Sequence, residues 1–220
     1  MKLNNDFLAN DKNIIGCDEV GRGPLAGPVV GCAVKIIDSG AGDLGQLHLL
    51  DIKDSKKLTS TKRKKILSAL GINIDKTKQG QIYSLSHESM DITFCLVEKS
   101  HNVIDEINIL AASLLSMKEA SEKLIDNKSI ILIDGNKKFE SNIETHSIVK
   151  GDSKIIAISL ASIIAKEYRD LLMCNFDIKY PGYSFSRHSG YPTKAHKEAL
   201  KNIGPCPIHR KSFKGVKRVI

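Results

Sequence analysis

The sequence lacks three features that mark particular classes of protein. No apolar run approaches the roughly 20 residues that cross a bilayer, and the first segment, MKLNNDFLANDKN, lacks the apolar core of a secretory signal. The five cysteines form no CxxC pair, which argues against a structural zinc site or a disulfide framework. We therefore expect a cytoplasmic protein with reduced thiols and no membrane partner.

The composition favours a single globular core and a polyanionic partner. A chain of 220 residues with 41% hydrophobic residues is long enough for one sizeable core and a small appended subdomain. The chain carries 33 Lys and Arg against 25 Asp and Glu, a formal net charge of +8. A basic surface favours nucleic acid first and an anionic membrane second.

The order of apolar segments predicts alternating strands and helices. IIGCD, GPVVGCAVKII, QIYSLSH, ITFCLVE and SIILIDG are typical of strands, whereas the spacing over 103–125 and the segment SKIIAISLASIIAKEYRDLLM are typical of helices. This alternation indicates an α/β fold with a central sheet. We place the main domain at residues 1–174 and a small basic, proline-rich C-terminal subdomain at 175–220. One short helix is expected there in TKAHKEALKN, with Thr193 at its N-cap.

Carboxylates follow several of the predicted strands. Asp18 and Glu19 come after IIGC, Asp134 after SIILI, and Asp152 after SIVKG. Ligands of α/β sheets bind outside the ends of strands, so these side chains are expected to converge. The alternative for each carboxylate is a structural role in a turn or a helix cap. For Asp152 this alternative is the N-cap of the helix that begins near Ser153. Carboxylates without His or Cys ligands suit Mg²⁺ or Mn²⁺, and such centres commonly serve phosphoryl transfer.

The adjacent pair poses a geometric question. Successive strand residues point to opposite faces, so Asp18 and Glu19 cannot both reach one ion from a regular strand. Either the strand breaks at Val20–Gly21, or Glu19 acts through its backbone or a water. Asp18 is the expected direct ligand.

The segment GCDEVGRGPLAGPVV resembles the N-terminal signature of ribonuclease HII, the type 2 ribonuclease H. The similarity continues in the order of that family over residues 14–216. It includes the blocks KDSKKLT, IDEINILAASLLSM, ILIDGN, KGDSKIIAISLASIIAKEYRD, HSGYPTKAH and GPCPIHRKSF.

The resemblance implies a ribonuclease H-like fold, a mixed central sheet flanked by helices, with a small helical C-terminal extension. It implies a monomer that uses Mg²⁺ or Mn²⁺ to cleave the RNA of RNA–DNA hybrids and single ribonucleotides embedded in duplex DNA. Family members cut on the 5′ side of the ribonucleotide and leave a 3′-hydroxyl and a 5′-phosphate. The family's four catalytic, metal-binding positions fall on Asp18, Glu19, Asp134 and Asp152.

The same resemblance assigns substrate contacts. The family's Gly-Arg-Gly motif, whose backbone reads the ribose 2′-hydroxyl, falls on Gly21, Arg22 and Gly23, and its recognition tyrosine on Tyr191. A hydroxyl is what distinguishes RNA from DNA, and glycines permit close backbone approach. The plain alternatives are an ordinary turn and a tyrosine in the core.

Ser55 and Lys56 of DSKKL are expected near backbone phosphates. Lys57 and the run KRKK at 62–65 are equally well explained as a solvated basic surface.

The sequence departs from the family pattern at Ser189, where lysine is usual, and at Ser184, where glycine is usual. The lysine's loss puts one phosphate contact in doubt. Arg169 is open to interpretation as a substrate contact or a structural ion-pair partner. A metal or nucleophilic role for the histidines of the C-terminal region is secondary, because the carboxylates already supply ligands; these are His188, His196 and His209.

Four other functions compete with this interpretation. The type 3 relatives lack the arginine that stands here as Arg22. A ribonuclease HI-like enzyme would need several consecutive ribonucleotides, and a non-catalytic nucleic-acid-binding module would lose at least one of the four carboxylates. A small-molecule metal phosphatase would leave the basic C-terminal region unexplained.

Overall fold

The computed structural model describes residues 12–38, 52, 58–87 and 90–219. Its strands are β1 (Asn13–Val20), β2 (Val29–Asp38), β3 (Ile82–His87), β4 (Met90–Lys99), β5 (Ser129–Asp134) and β6 (Thr145–Ile148). Its α-helices are α1 (Ser60–Ala69), α2 (His101–Ile107), α3 (Ile109–Glu122), α4 (Ile156–Lys179), α5 (Phe185–His188), α6 (Lys194–Ile203) and α7 (Lys214–Lys217). Single 3₁₀ turns lie at Ile74–Lys76 and Gly151–Ser153.

The strands form one mixed sheet in the order β3-β4-β2-β1-β5-β6. The first four in this order pair antiparallel, whereas β1, β5 and β6 run parallel. Cys17 lies opposite Ile133 in the parallel register. Asp18 and Asp134 are the next residues of these two strands. Their side chains therefore lie at the same end of the sheet, the C-terminal end of its parallel strands, and on the same face. The predicted α/β fold with a central sheet is confirmed.

One long helix lies on each face of the sheet. A Cβ atom placed on Gly16 would lie 2.4 Å from the backbone of Ala157, so α4 approaches β1 as closely as a glycine allows. A Cβ atom on Gly31 would meet α3 on the other face at 2.6 Å, at the amide of Met117. The alternating side chains of the central strands are buried beneath these two helices. Gly16 thus allows α4 to pack directly against β1, the strand that carries Asp18.

The helix predicted over 103–125 is wrong in one respect, because the structure has two helices there. The helix is interrupted at Asn108, whose φ is 67°. The Asn108 side chain accepts hydrogen bonds from the amides of Leu110 and Ala111 and so caps α3. Apolar spacing continues across the break, and asparagine is among the few residues that tolerate this conformation and cap a helix.

The C-terminal helices pack against the loop that follows β1. Leu25 and Ala26 share a buried apolar cluster with Phe185, Leu200 and Ile208. Helix α6 has Thr193 at its N-cap, with Oγ1 accepting from the amide of His196 at 3.2 Å, as predicted. The boundary drawn between residues 174 and 175 falls within α4, and the division into a domain and a subdomain stays a prediction.

A search for membrane-spanning segments, restricted to the residues described above, found no helix with the length and apolar character to cross a bilayer.

Candidate active site

Asp18 and Asp134 stand at the ends of the two central parallel strands. Asp18 is 1% exposed, and its Oδ1 accepts the amide of Glu19 at 2.8 Å. Strand β1 ends at Val20, and both Asp18 and Glu19 are still paired within it, opposite Cys32 and Gly31. Both residues line the same cavity, and a role of Glu19 through its side chain, its backbone or a water stays a prediction.

The turn before α4 is bound to Asp134. Oδ1 of Asp134 accepts a hydrogen bond from the amide of Gly151 at 2.7 Å and lies 3.4 Å from the amide nitrogen of Asp152. Helix α4 begins only at Ile156, with Ile155 in the N-cap position and no side-chain capping bond, so the alternative role of Asp152 as this cap is wrong. Asp152 is buried beside Asp134 but is not among the residues that line the cavity.

The cavity has a volume of about 340 Å³ and opens at the sheet edge. It brings together three of the four predicted carboxylates, the whole Gly-Arg-Gly motif and the predicted tyrosine. The lining residues are Asp18, Glu19, Val20, Gly21, Arg22, Gly23, Arg63, Asp134, Ser162, Lys166 and Tyr191.

The Gly-Arg-Gly segment has a conformation that requires its first glycine. Gly21 has φ +98°, and a Cβ atom there would lie 2.3 Å from Nε of Arg169. Arg22 reaches back over the turn, with Nη1 3.2 Å from Oε1 of Glu19. A Cβ atom on Gly23 would lie 3.2 Å from the ring of Tyr191. Tyr191 is 40% exposed, so it is not the core residue that its sequence context allowed.

Arg169 lies buried beneath this segment. It donates to the carbonyl oxygens of Pro28, Ser189 and Ala26, at 2.9, 2.9 and 3.1 Å. These bonds run to backbone carbonyls, so the ion-pair role considered for Arg169 is not the one observed. Burial lowers the pKa of Arg169 to about 10, which leaves the guanidinium charged at neutral pH.

Arg210 is a second buried arginine, and sequence reasoning missed it. It donates to the carbonyl oxygens of Gly21, Arg22 and Gly27, at 2.6, 3.1 and 3.0 Å. Burial lowers its pKa to about 9. The amides of Lys211 and Ser212 are held in turn by the carboxylate of Asp105 on α2. The C-terminal segment thus fixes the backbone of the Gly-Arg-Gly turn from below.

The cavity wall on the helix side was also missed. Ser162 and Lys166 lie four residues apart on α4, and the cavity-lining side chains therefore share one helix face. Lys166 pairs with Asp170 at 2.5 Å. Polar residues at helical spacing inside an otherwise apolar segment are the sequence signal that could have identified this face.

Arg63 differs from its neighbours in the KRKK run. Its Nε lies 2.6 Å from Oε1 of the buried Glu167, and its Nη1 donates to the carbonyl of Leu58. Lys62, Lys64 and Lys65 are exposed. Exposure fits both a phosphate contact and a solvated surface for these three lysines, whereas Arg63 lines the cavity.

The remaining predicted residues have separate positions. Ser55 and Lys56 lie outside the described residues. Ser189 has φ 48° and donates from its hydroxyl to Asp170 at 2.9 Å, so it makes an internal contact where the family usually has lysine. The ring of His188 stacks on that of His196, the ring of His209 lies tilted against His196, and none of the three lines the cavity.

The donor set suits a hard divalent cation in its chemistry, because Asp18, Glu19 and Asp134 offer only oxygen atoms. Within the described part of the chain, no three Asp, Glu, His and Cys side chains are already gathered closely enough to hold an ion.

The chain is similar to known proteins over most of its length. The Ribonuclease HII family model matches residues 15–216. Ribonuclease HII of Chlorobium chlorochromatii (strain CaD3) is 44% identical over 203 residues, which cover 91% of this chain and 89% of that relative. Ribonuclease HII of Nitrosococcus oceani is 39% identical over 209 residues, covering 95% and 92%.

Solved structures share the fold. The ribonuclease H2 of Pyrococcus horikoshii OT3 has a TM-score of 0.66 at 23% identity, covering 94% of this chain and 96% of that chain. The Bst ribonuclease HIII in complex with Mn²⁺ has a TM-score of 0.62 at 18% identity, covering 94% and 69%. At these identities the structures support the ribonuclease H-like fold alone.

Proposed function

Because the chain belongs to the ribonuclease HII family and is a type 2 ribonuclease H, an endoribonuclease that acts on RNA–DNA hybrids, we propose that it also nicks duplex DNA at a single embedded ribonucleotide. The cut falls on the 5′ side of that ribonucleotide. It leaves a 3′-hydroxyl and a 5′-phosphate.

One observation carries this proposal: three of the four carboxylates and the Gly-Arg-Gly turn line the same cavity. Asp18 lies three residues before Gly21, and the ring of Tyr191 packs over Gly23 on the opposite side. A ribose held by the turn would therefore have its neighbouring phosphate beside the carboxylates. Such an arrangement links the sugar that is recognised to the phosphate that is cut.

A divalent cation, Mg²⁺ or Mn²⁺, would be held by Asp18 and Asp134, with Glu19 and Asp152 completing the set. The oxygen-only donor set supports this assignment. Held there, such an ion would supply a lowered pKa of an attacking water and stabilisation of the charge on the leaving oxygen. The task of the protein is to hold the scissile phosphate in line with the water and the leaving group.

The turn reads the sugar through its backbone. The carbonyl oxygens of Gly21 and Arg22 are engaged by Arg210, so we assign the 2′-hydroxyl contact to the amides of the turn and to the Gly23 end of it. A backbone contact recognises the hydroxyl whatever the base, and stacking of Tyr191 on the sugar–base unit tolerates any base.

Cations around the cavity contact phosphate and set affinity rather than specificity. Three described cations line the cavity, Arg22, Arg63 and Lys166, and Arg63 among them is already paired with Glu167. Ser55 and Lys56 stay predicted phosphate contacts. A monomer in the cytoplasm is part of the same proposal.

The test is cleavage of a 5′-labelled DNA duplex with one ribonucleotide, in Mg²⁺ and separately in Mn²⁺. The proposal expects one nick on the 5′ side of the ribonucleotide, with an end that a DNA polymerase extends. A protein that cuts only runs of several ribonucleotides would be of the ribonuclease HI kind and would contradict the proposal. Binding without any cleavage would favour the non-catalytic module.

A further inference from the structure

Two fully buried histidines lie behind the tyrosine of the site. His196 is 0% and His209 is 1% exposed, and their Nε2 atoms are 3.0 Å apart. Neither residue borders the catalytic cavity. A bond between two ring nitrogens requires one to donate and the other to accept, so the pair has a defined arrangement of protons.

The surrounding contacts determine that arrangement. Nδ1 of His196 lies 2.9 Å from the carbonyl oxygen of Tyr191, which can only accept, so this nitrogen carries the proton. Nδ1 of His209 lies 2.9 Å from the amide of Cys206, which can only donate, so this nitrogen accepts. The carbonyl of Cys206 lies 3.1 Å from the same nitrogen and also accepts the amide of His209. Because a neutral His196 with its proton on Nδ1 can only accept at Nε2, the proton of His209 has to lie on its own Nε2. With both rings neutral, His209 Nε2–H must then donate to His196 Nε2.

The hydrogen bonds therefore form one directed chain into the active site. It runs from the Cys206 amide through His209 and His196 to the carbonyl of Tyr191. The Tyr191 carbonyl also accepts the amide of Thr193 at 2.8 Å, at the start of α6. The ring of the same residue, Tyr191, packs against Gly23.

We propose that His196 and His209 are positioning residues, which as a neutral pair fix the backbone of Tyr191 so that its ring stays over Gly23. The inference rests on the proposed role of Tyr191 in recognising the ribose. It adds a requirement on the C-terminal segment, which has to supply a donor at His209.

The carbonyl groups of Tyr191 and Gly190 at His196, and of Cys206 at His209, favour a charged ring, but burial of the two rings acts more strongly against it. The ring of His188 stacks on His196 at 4.7 Å, and the ring of Tyr183 lies 5.0 Å from His209. The Sγ atom of Cys206 lies 3.2 Å from His209 Nδ1, and the charge of His101 on α2 acts against protonation of His209. Burial lowers the pKa of both histidines, to about 4 for His209. Both rings are thus neutral at pH 7.5.

The first experiment measures the protons directly. Long-range ¹H–¹⁵N correlation spectra of the full-length protein with ¹⁵N-labelled histidine, at pH 7.5, distinguish the two neutral tautomers and the cation. We expect His196 to be the Nδ1–H tautomer and His209 the Nε2–H tautomer. An Nε2–H tautomer or a cation at His196 would overturn the proposal.

The second experiment tests the link to Tyr191. His209→Leu removes the donor, and His209→Gln restores an amide donor at a similar reach. On the single-ribonucleotide duplex we expect His209→Leu to lower kcat by about ten-fold or more through misplacement of Tyr191, and His209→Gln to recover most of that loss. His87→Leu, on the far edge strand β3, is the matched control and should match the wild type.

A double-mutant cycle with Tyr191→Ala completes the test. If the histidines act through Tyr191, His209→Leu should cause little further loss in the Tyr191→Ala background, because both changes remove the same contact. Full additivity of the two losses would overturn the proposal. A wild type that fails to nick this duplex would instead refute the proposed function, whereas a Tyr191→Ala defect without a His209→Leu defect refutes only the positioning role.

Discussion

Nη2 of Arg210 donates a hydrogen bond of 2.6 Å to the carbonyl oxygen of Gly21, although 189 positions separate the two residues in the chain. This contact joins the C-terminal segment to the turn that carries the candidate ribose-reading backbone. The shape of the turn therefore depends on residues at both ends of the chain.

Replacing Arg210 should destabilise the protein strongly. Arg210→Met leaves the buried carbonyls of Gly21 and Gly27, and the part-buried bond to the carbonyl of Arg22, without their charged donor, and each loss at a buried carbonyl costs about 1–3 kcal/mol. We expect a fall of about 3 kcal/mol or more in the free energy of unfolding, measured by urea denaturation. Arg218→Met, at an exposed arginine of the same region, is the control. Equal stability of the two variants would contradict the role of Arg210.

Gly21 should be less replaceable than a glycine of similar backbone conformation elsewhere. Gly21→Ala adds a Cβ atom 2.3 Å from Arg169 Nε and strains a backbone with φ +98°. Gly71→Ala has φ +73° and open space around the new atom, so it should cost only the roughly 1–2 kcal/mol of the left-handed conformation. Thermal and urea unfolding of both variants, with a cleavage assay, measures the two losses. The loss in Gly71→Ala gives the cost of the backbone conformation, and the additional loss in Gly21→Ala gives the cost of the contact with Arg169. Matched losses would show that Arg169 does not press on this turn.

Asp134→Asn should separate binding from cleavage. The Asn oxygen can still accept the amide of Gly151, so the turn before α4 should stay in place. Loss of the negative charge should lower kcat by at least about 100-fold, which corresponds to about 2.7 kcal/mol of transition-state stabilisation. Duplex affinity, measured by fluorescence anisotropy at fixed salt, should change little. Asp91→Asn on the exposed side of β4 is the control, and persistence of full cleavage in Asp134→Asn would place the chemistry elsewhere.

Acid should destabilise the fold through the buried histidine pair. The pKa of His209 falls from 6.5 to about 4 on folding because of burial. Between these two values the unfolded chain binds the proton first, so the free energy of unfolding decreases as the pH falls from 6.5 toward 4. His209→Gln should have a flatter pH dependence in this window, measured by urea denaturation followed by circular dichroism. An unchanged slope would mean that His209 titrates normally in the folded protein.

The sequence was sufficient for those parts of the molecule that follow local rules. Continuous apolar runs and helical spacing predicted the sheet and α4, and carboxylates after strands predicted the edge where Asp18 and Asp134 meet. The break at Asn108 was not predictable from periodicity, because the apolar spacing continues across it.

Long-range backbone contacts explain the other omissions. Arg210 and Arg169 bind carbonyl groups of a distant turn, and no residue pattern encodes which carbonyl a buried arginine will reach. The same holds for the histidine chain behind Tyr191, where a metal interpretation competed with the hydrogen bonds that are observed.

The most direct measurement varies only the 2′ substituent at one position of a DNA duplex. Three substrates, with ribose, 2′-deoxyribose or 2′-methoxyribose at that position, are incubated with the wild-type protein and Mg²⁺ or Mn²⁺. If the backbone of Gly21 to Gly23 reads the 2′-hydroxyl beside the carboxylates, only the ribose substrate is nicked, on the 5′ side of the ribonucleotide. Equal cleavage of the deoxyribose substrate, or no nick at the ribose, would contradict this account of the site.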